Sequence, residues 1–411
     1  MAQERRLVIG GVDTHKDVHV GAVIDDRGKI LDTAEFETTA KGYRLLVEWM
    51  VGFGELQRVG VEGTGAYGAG LARYLAEAGV AVVEVNRPNR QMRRRRGKCD
   101  TVDAEAAARA ALNGEATVTP KAEDGIVESI RILRVAFTSA RNSRTRVALQ
   151  IRDLIITAPD QLREALGSLT TAQRVARCAR FRLGGDTAEP TAATRLALRT
   201  LARRYEALSA ELAELNATLD ELTARANPAL RGSKGVGADV AAILLVAAGD
   251  NPDRLRGEAS FTAMCGVNPI EASSGKTVRH RLNRSGNRQA NHALWRIVMN
   301  RLTTDPTTKA YAARRTAEGK TKREIVRCLK RYVAREIYRL IVNPGVVPAG
   351  ADLRVVRVGA GLRLHHAATA LGTTVVSISR LELGHAHDTG LAQRYERWLG
   401  EITTSADFQA A

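Results

Sequence analysis

Aromatic side chains are scarce in this sequence, at 4% of 411 residues. Proteins that hold nucleic acid mainly by stacking on its bases need more of them, so any such contacts here should depend on phosphates and shape. Cysteine is also rare. The four thiols belong to Cys99, Cys178, Cys265 and Cys328. Their wide scatter excludes a disulfide framework and a zinc knuckle.

Long apolar runs are missing as well. The longest, Val240 to Ala248, is far too short to cross a bilayer. The N-terminal residues Met1 to Arg6 lack the apolar region of a signal peptide. We therefore expect a cytoplasmic protein with no membrane partner.

Positive charge, in contrast, is abundant. The formal net charge is +17 at pH 7, which indicates a polyanionic partner such as DNA or RNA. A chain of this length is too long for one hydrophobic core, so it should fold as several domains.

The stretch from Arg87 to Asn113 joins a basic run to a pair of acids. The cations nearest the acids are Arg93, Arg94, Arg95, Arg96 and Lys98. Asp100 and Asp103 follow at a spacing that, on a helix, places two carboxylates on one face where they can share a cation. Phosphate-attracting cations beside metal-binding carboxylates indicate phosphodiester chemistry. Helix capping beside a solvated loop explains the same residues equally well.

The first hundred residues predict an α/β domain. Strands are expected at Leu7 to Asp13, Val18 to Ile24, Ile30 to Glu37, Arg58 to Glu62 and Ala81 to Val85, with helices between the later ones. This order is that of a ribonuclease-H-like fold. Asp13 and Glu62 end two of the strands, and both could face the helix that bears Asp100 and Asp103.

Four acids gathered in this way repel one another unless a divalent metal neutralises them. Mg²⁺ suits such a site because it prefers oxygen ligands and binds through a few carboxylates together with substrate phosphate. Each acid taken alone is equally well explained as a strand-end or capping residue.

Three short segments resemble a known family, the DEDD transposases of the insertion sequence 110 family. They are Val12-Asp13-Thr-His-Lys16, Glu62-Gly-Thr-Gly-Ala-Tyr67 and Asp100-Thr-Val-Asp103-Ala. The resemblance implies that Asp13, Glu62, Asp100 and Asp103 form the metal-binding tetrad of a RuvC-like domain, which we place at residues 5–115.

The middle of the chain is helical and basic. Ile126 to Asp153 predicts a long arginine-rich helix inside a linker at residues 116–190, either a nucleic-acid clamp or a solvated helix. From Leu198 to Leu222, leucines and Tyr205 recur at spacings of three and four. This pattern predicts a coiled coil at residues 191–226, between subunits or folded back within one chain.

Residues 227–344 predict a helical domain that opens with a glycine-rich turn. The turn, Gly235-Val-Gly237, resembles a helix-hairpin-helix element whose backbone N–H groups can hold a phosphate. Gly-x-Gly turns also occur without a ligand. Further along, Ser274 stands in a small-residue loop followed by Lys276, Arg279, Arg281 and Arg284. Fixed positive charge can activate such a serine as a nucleophile toward phosphorus, although the local sequence alone favours an ordinary Ser-Gly turn.

The family resemblance reverses that preference. Gly266-Val-Asn-Pro269, Ser274-Gly275 and Arg284-Ser-Gly286-Asn287 are similar to the C-terminal transposase domain of the same family. This implies that Ser274 attacks a phosphodiester of DNA, with Ser273 as the alternative nucleophile. It also implies guidance by a structured noncoding RNA, which the composition alone does not indicate.

The last segment, residues 350–402, resembles the helix-turn-helix of phage repressors. Gly372 would make the turn, and Thr373 to Leu381 would enter the major groove with Ser377 and Arg380 toward DNA. The alternative is a small helical bundle without nucleic-acid contact.

Taken together, the fold class expected is α/β plus α: a ribonuclease-H-like domain, a coiled-coil arm, a helical transposase domain and a helix-turn-helix tail. The expected function is that of a transposase acting on element ends and target DNA, with Mg²⁺, a guide RNA and a homo-oligomer of two or four subunits. The rivals are a metal-dependent junction resolvase without a covalent intermediate and a noncatalytic DNA-binding regulator.

Overall fold

The computed structural model describes residues 6–85 and 99–410, with side chains as far as residue 402. The chain divides into two compact units. The first contains Met1–Glu128 together with Ala248–Ser260, and the second contains Ser129–Ala247 together with Phe261–Ala411.

The first unit is built on a mixed five-stranded sheet. Its strands are β1 (Leu7–Thr14), β2 (Val18–Asp25), β3 (Ile30–Glu37), β4 (Glu55–Glu62) and β5 (Val82–Val85), in the order β3-β2-β1-β4-β5. Strands β1, β4 and β5 run parallel, whereas β2 is antiparallel to both β1 and β3. The helices of this part are α1 (Ala40–Gly52), α2 (Ala69–Glu77) and α3 (Asp100–Leu112).

Helices cover both faces of this sheet, which is why its central strands read as continuous apolar runs. On one face, Leu46 and Met50 of α1 and Leu71 of α2 pack with strand residues such as Val12. On the other face, alanines of α3 pack against residues such as Ile9. This confirms the expected mixed α/β sheet, and the arrangement is compatible with a ribonuclease-H-like domain.

The rest of the chain is mainly helical. The helices that follow are α4 (Ile126–Ile156), α5 (Asp160–Gly167), α6 (Thr171–Ala179), α7 (Pro190–Ala226), α8 (Pro228–Arg231), α9 (Ala238–Ala248) and α10 (Glu258–Met264). A hairpin of β6 (Pro269–Glu271) and β7 (His280–Leu282) precedes α11 (Arg288–Thr304), α12 (Pro306–Ala317) and α13 (Lys322–Val342). Within the described residues, none of these helices has the length and apolar character needed to cross a membrane.

The predicted leucine seam lies on α7. At its start, Leu198 and Ala202 pack inside a cluster formed with residues of α4, α5 and α6, among them Ile151 and Cys178. Helices α5 and α6 occupy a stretch in which the sequence shows no clear period. The seam thus has partners within its own unit, and the coiled coil stays a prediction.

The tail consists of α14 (Gly350–Gly359), α15 (Leu364–Ala370), α16 (Val375–Glu382) and α17 (Thr389–Ala410). A buried ion pair joins its helices: Arg357 Nε lies 2.6 Å from Glu382 Oε1, and Nη2 lies 2.8 Å from Oε2. The Tyr395 hydroxyl donates to Glu382 Oε1 at 2.7 Å. Such a fully bonded network fixes one helix arrangement, and the assignment as a helix-turn-helix remains a prediction.

Candidate active site

Two acids stand side by side at one edge of the sheet in the first unit. Val12 of β1 pairs in parallel with Val61 of β4, so the residues that follow lie near the ends of neighbouring strands: Asp13 is next to last in β1, and Glu62 is last in β4. The Thr14 hydroxyl donates a hydrogen bond to the Glu62 carbonyl at 2.8 Å and ties the two strand ends together. The sequence prediction that these acids close adjacent strands is therefore confirmed.

Helix α3 lies unusually close to these strands. A Cβ atom added to Gly11 would stand 2.2 Å from both the Ala104 carbonyl oxygen and the Ala108 backbone nitrogen. At Gly60 it would stand 2.4 Å from the Ala107 carbonyl oxygen. Glycine on the strands and alanine on the helix thus let the two backbones touch, and this contact sets the position of the helix start.

That helix start carries the other two acids. Asp100 and Asp103 both lie in the first turn of α3, where carboxylates also stabilise the exposed backbone N–H groups. Their burial differs, because Asp103 is 3% exposed whereas the Asp100 side chain is 52% exposed. The helix therefore presents one acid to the protein interior and the other to solvent.

One histidine lies close to two of the four acids. His15 Nε2 lies 3.2 Å from Asp13 Oδ2 and 3.5 Å from Asp100 Oδ2. One ligand atom from each of these three residues lies within 4.8 Å of the others, which is close enough for all three to bind one metal ion. His15 lies inside the segment Val12-Asp13-Thr-His-Lys16, whose sequence alone indicated no role for it. Its position two residues after the strand-end acid was the available signal.

The electrostatics fit a cation site. Burial raises the pKa of Asp13 above its ordinary value; His15 opposes the shift, and the neighbouring Asp103 and Asp100 add to it. Like charges held close resist ionisation unless a cation compensates them. The donor set of carboxylate oxygens and one imidazole nitrogen suits a divalent metal.

The basic run beside the acids cannot be placed in the same way. Arg93, Arg94, Arg95, Arg96 and Lys98 lie outside the described residues. Their predicted contact with nucleic acid stays a prediction.

The second unit holds the predicted nucleophile at the tip of the β6–β7 hairpin. Ser274 and Thr277 pair through two backbone hydrogen bonds of 3.1 and 3.0 Å, and Ser274 is exposed. The neighbouring Ser273 is half-buried, and its hydroxyl accepts a hydrogen bond from the Arg279 backbone N–H at 3.3 Å. The more accessible hydroxyl is therefore that of Ser274.

Exposed cations surround this hairpin. They are Lys276, Arg279, Arg281 and Arg284. All four were expected to face phosphate, and their exposure is consistent with that prediction.

The glycine-rich turn lies between α8 and α9 and lines a cavity of about 760 Å³. Gly235, Gly237 and Lys234 are among its lining residues. Beneath the turn, Arg301 pairs with Glu336 at 2.6 Å and donates to the Ser233 hydroxyl at 3.0 Å. The turn thus stands on a fixed polar support, and its binding of phosphate stays a prediction.

In the tail, the two residues expected to contact DNA differ in availability. Arg380 of α16 is exposed. The Ser377 hydroxyl lies 2.8 Å from the Thr374 hydroxyl, which itself caps the helix. Arg380 is therefore the better placed of the two.

Comparisons with known proteins match two parts of the chain to transposases. A family model described as "Transposase" and named for the DEDD transposases of IS110 matches residues 10–157, and one described as "Transposase IS116/IS110/IS902 family" matches residues 227–313. The "Insertion element IS110 uncharacterized 43.6 kDa protein" of Streptomyces coelicolor strain ATCC BAA-471 / A3(2) / M145 is 29% identical over 146 residues. That alignment covers 34% of this chain and 35% of the relative.

The first match contains all four acids, and the second contains the Ser274 hairpin. Together they span more than half of the chain, and both describe transposases. The chain belongs to the IS110 family of DEDD transposases.

Proposed function

We propose that this protein is a transposase and site-specific recombinase that cuts and rejoins the DNA of an insertion sequence, guided by a structured noncoding RNA. The observation that carries the proposal is the convergence of Asp13, His15 and Asp100 at the edge of the sheet, within 4.8 Å of one another. The RNA guide rests on the family resemblance alone. The expectation of two or four subunits rests on the long leucine seam in the sequence between the acids and Ser274, which favours active sites assembled between subunits.

In this proposal the acids hold Mg²⁺. Asp13 and Asp100 supply oxygen ligands, Glu62 and Asp103 complete the tetrad, and His15 is available as a nitrogen ligand. When bound, the metal would neutralise the charge on the phosphate and on the strand's leaving oxygen. The protein contributes the positions, because Gly11 and Gly60 hold the acid-bearing helix against the acid-bearing strands.

Ser274 supplies the nucleophile. Its Oγ forms a bond to phosphorus while the bond from phosphorus to one sugar oxygen breaks. The hydroxyl proton passes to solvent water, and the leaving sugar oxygen takes up a proton from solvent. Rejoining reverses these steps with a new strand's hydroxyl. Exposed cations such as Arg279, Arg281 and Arg284 offset the charge that develops on phosphate.

The test uses element-end DNA with the candidate guide RNA and Mg²⁺, and looks for a protein–DNA adduct that survives denaturation. Wild type is compared with Ser274→Ala, Asp13→Asn and the matched control Ser273→Ala. We expect the adduct in wild type and Ser273→Ala, and its loss in the other two variants.

Each rival has its own outcome. An adduct that persists in Ser274→Ala moves the nucleophile to another residue. Cleavage without any adduct supports the metal-dependent resolvase. Unchanged DNA binding in EDTA, with no cleavage under any condition, supports the regulator.

A further inference from the structure

Two adjoining clefts lie at the base of the Ser274 hairpin in the second unit. Their volumes are about 440 and 410 Å³, and they share a wall that includes Asn283, Arg284 and Lys330. The other cations that line them are Arg281, Arg288, Arg327 and Arg331. None of the described residues lining either cleft is acidic. A cleft lined by cations without carboxylates attracts an anion.

Hydrogen bonds and close backbone packing hold the residues of the shared wall in place. Lys330 Nζ donates to Asn291 Oδ1 at 2.8 Å, and the Asn291 amide nitrogen donates to the carbonyls of Cys265 and Gly266 at 2.9 and 3.1 Å. A Cβ atom on Gly286 would stand 2.3 Å from the Gly266 nitrogen, so these two backbones also touch. Burial, and then the neighbouring Arg327, lowers the pKa of Lys330. The ammonium is held in place among like charges, and an anion would compensate it.

An aromatic platform stands at the edge of the second cleft. His292 and Trp295 of α11 both line it, and their rings are stacked at 5.4 Å with an interplanar angle of 22°. Trp295 is 41% exposed, although tryptophan is usually far more buried than this. An exposed indole beside a cationic cleft offers a surface on which a base can stack while its phosphate meets the cations.

We propose that the second cleft binds one unpaired nucleotide of a nucleic-acid strand, with the phosphate of that nucleotide at Lys330 and Arg284 and its base stacked on Trp295. The inference rests on the proposed function, because it makes the cleft a holding site next to the serine hairpin. An unpaired nucleotide is required, since a base within a duplex has no free face to offer. The strand is DNA next to the cut or the guide RNA, which share this chemistry.

The experiment measures binding of the full-length protein to three fluorescein-labelled probes of the same mixed sequence: a 20-nucleotide DNA strand, the matching RNA strand and the DNA duplex. The buffer contains EDTA, so no strand is cut. The variants are Trp295→Ala, Trp295→Phe and Lys330→Gln. The controls are Tyr332→Ala, which removes another exposed aromatic outside the clefts, and Arg195→Gln, which removes an exposed cation on α7.

We expect Trp295→Ala to weaken single-strand binding by about tenfold or more and to leave duplex binding unchanged, whereas Trp295→Phe keeps most of the affinity. Lys330→Gln should weaken single-strand binding and reduce its salt dependence by roughly the contribution of one phosphate. Both controls should bind as wild type. Tryptophan emission should be quenched by the bound strand, and the quenching should be lost in Trp295→Phe. The strand that shows these effects, DNA or RNA, identifies the occupant.

The proposal is overturned if Trp295→Ala binds single strands as wild type does, or if it weakens duplex and single strand equally. It is also overturned if Tyr332→Ala has the same effect as Trp295→Ala. Because no cleavage occurs in EDTA, these results are independent of the adduct assay. If the protein forms no adduct but still prefers single strands through Trp295, the proposed serine chemistry is refuted and the nucleotide-binding site is supported.

Discussion

Replacing Gly11 with alanine tests whether close packing places the acids. The new Cβ would stand 2.2 Å from backbone atoms of Ala104 and Ala108 in α3, whereas ordinary van der Waals contact begins at 3.4 Å. No side chain can rotate away, because both clashing groups are backbone. The helix must therefore retreat from β1 by about 1 Å.

Two consequences follow from that shift. Overpacking of this kind usually lowers the free energy of unfolding by about 1–3 kcal/mol. Asp100 and Asp103 lie on the displaced helix, whereas Asp13 stays on its strand. Misplacing ligands on one side of a metal site should weaken metal binding by roughly tenfold or more. A displacement of about 1 Å can also cost about a hundredfold in rate.

Two measurements check this. Urea denaturation of the metal-free protein gives the free energy of unfolding, and titration with Mn²⁺ followed by electron paramagnetic resonance gives the affinity. The matched control is Gly52→Ala near the end of α1, where an added Cβ meets nothing within 4 Å. That control should be neutral or up to about 1 kcal/mol more stable, with unchanged Mn²⁺ affinity.

If Gly11→Ala matches Gly52→Ala in both measurements, close packing at Gly11 does not place the acids. If stability falls and Mn²⁺ affinity does not, the position of α3 does not govern the metal site. Only a joint loss supports the view that the glycine–alanine contact positions the acids.

Three further predictions concern single side chains. Asp13→Asn should raise the melting temperature in EDTA, because it removes a buried charge that is crowded by other acids. It should also abolish stabilisation by Mn²⁺. A lower melting temperature in EDTA, measured by calorimetry, would contradict this prediction. His15→Ala should weaken Mn²⁺ binding more than Mg²⁺ binding, since Mg²⁺ prefers oxygen, whereas the neighbouring Lys16→Ala should change neither. Glu382→Gln should lower the free energy of unfolding of the tail by about 3–5 kcal/mol in urea titrations, because it leaves the buried Arg357 without its counter-charge. Burial opposes ionisation of Glu382, but hydrogen bonds from Arg357 and Tyr395 lower its pKa. The stability that the ionised Glu382 contributes is therefore present above the usual glutamate pKa and is lost as pH falls through the lowered pKa. The unfolding free energies of wild type and Glu382→Gln should therefore converge in acid.

The sheet of the first unit was predictable from the sequence for a physical reason. Its central strands β1 and β2 are mainly apolar runs of strand length bounded by polar and turn residues, and that combination favours a strand over a buried helix. Asp13 and Glu62 end two such runs, so their placement at one edge followed from parallel pairing. The helix at Asp100 also followed, because alanines dominate it and acids occupy its first turn.

Other features could not be read from local patterns. His15 joins the acids only because β1 and the start of α3 meet in space. Helices α5 and α6 bury few residues each, among them Leu166 and Cys178, so the sequence shows no sustained period there. The low aromatic content predicted binding through phosphate contacts and shape more than through base stacking. It did not indicate that Trp295 would lie exposed beside a cationic cleft.

The packing of α3 suggests why the acids are divided between two kinds of element. Asp13 and Glu62 lie on central strands anchored by large side chains such as Val12 and Leu46. The helix that carries Asp100 and Asp103 is held mainly by buried alanines. Burying an alanine contributes less than burying a leucine or valine, because fewer methylene groups leave water. The helix start is therefore the more weakly held side of the site. A cation bound by both sides would add its binding free energy to this weaker contact, and so stabilise the folded first unit by mass action.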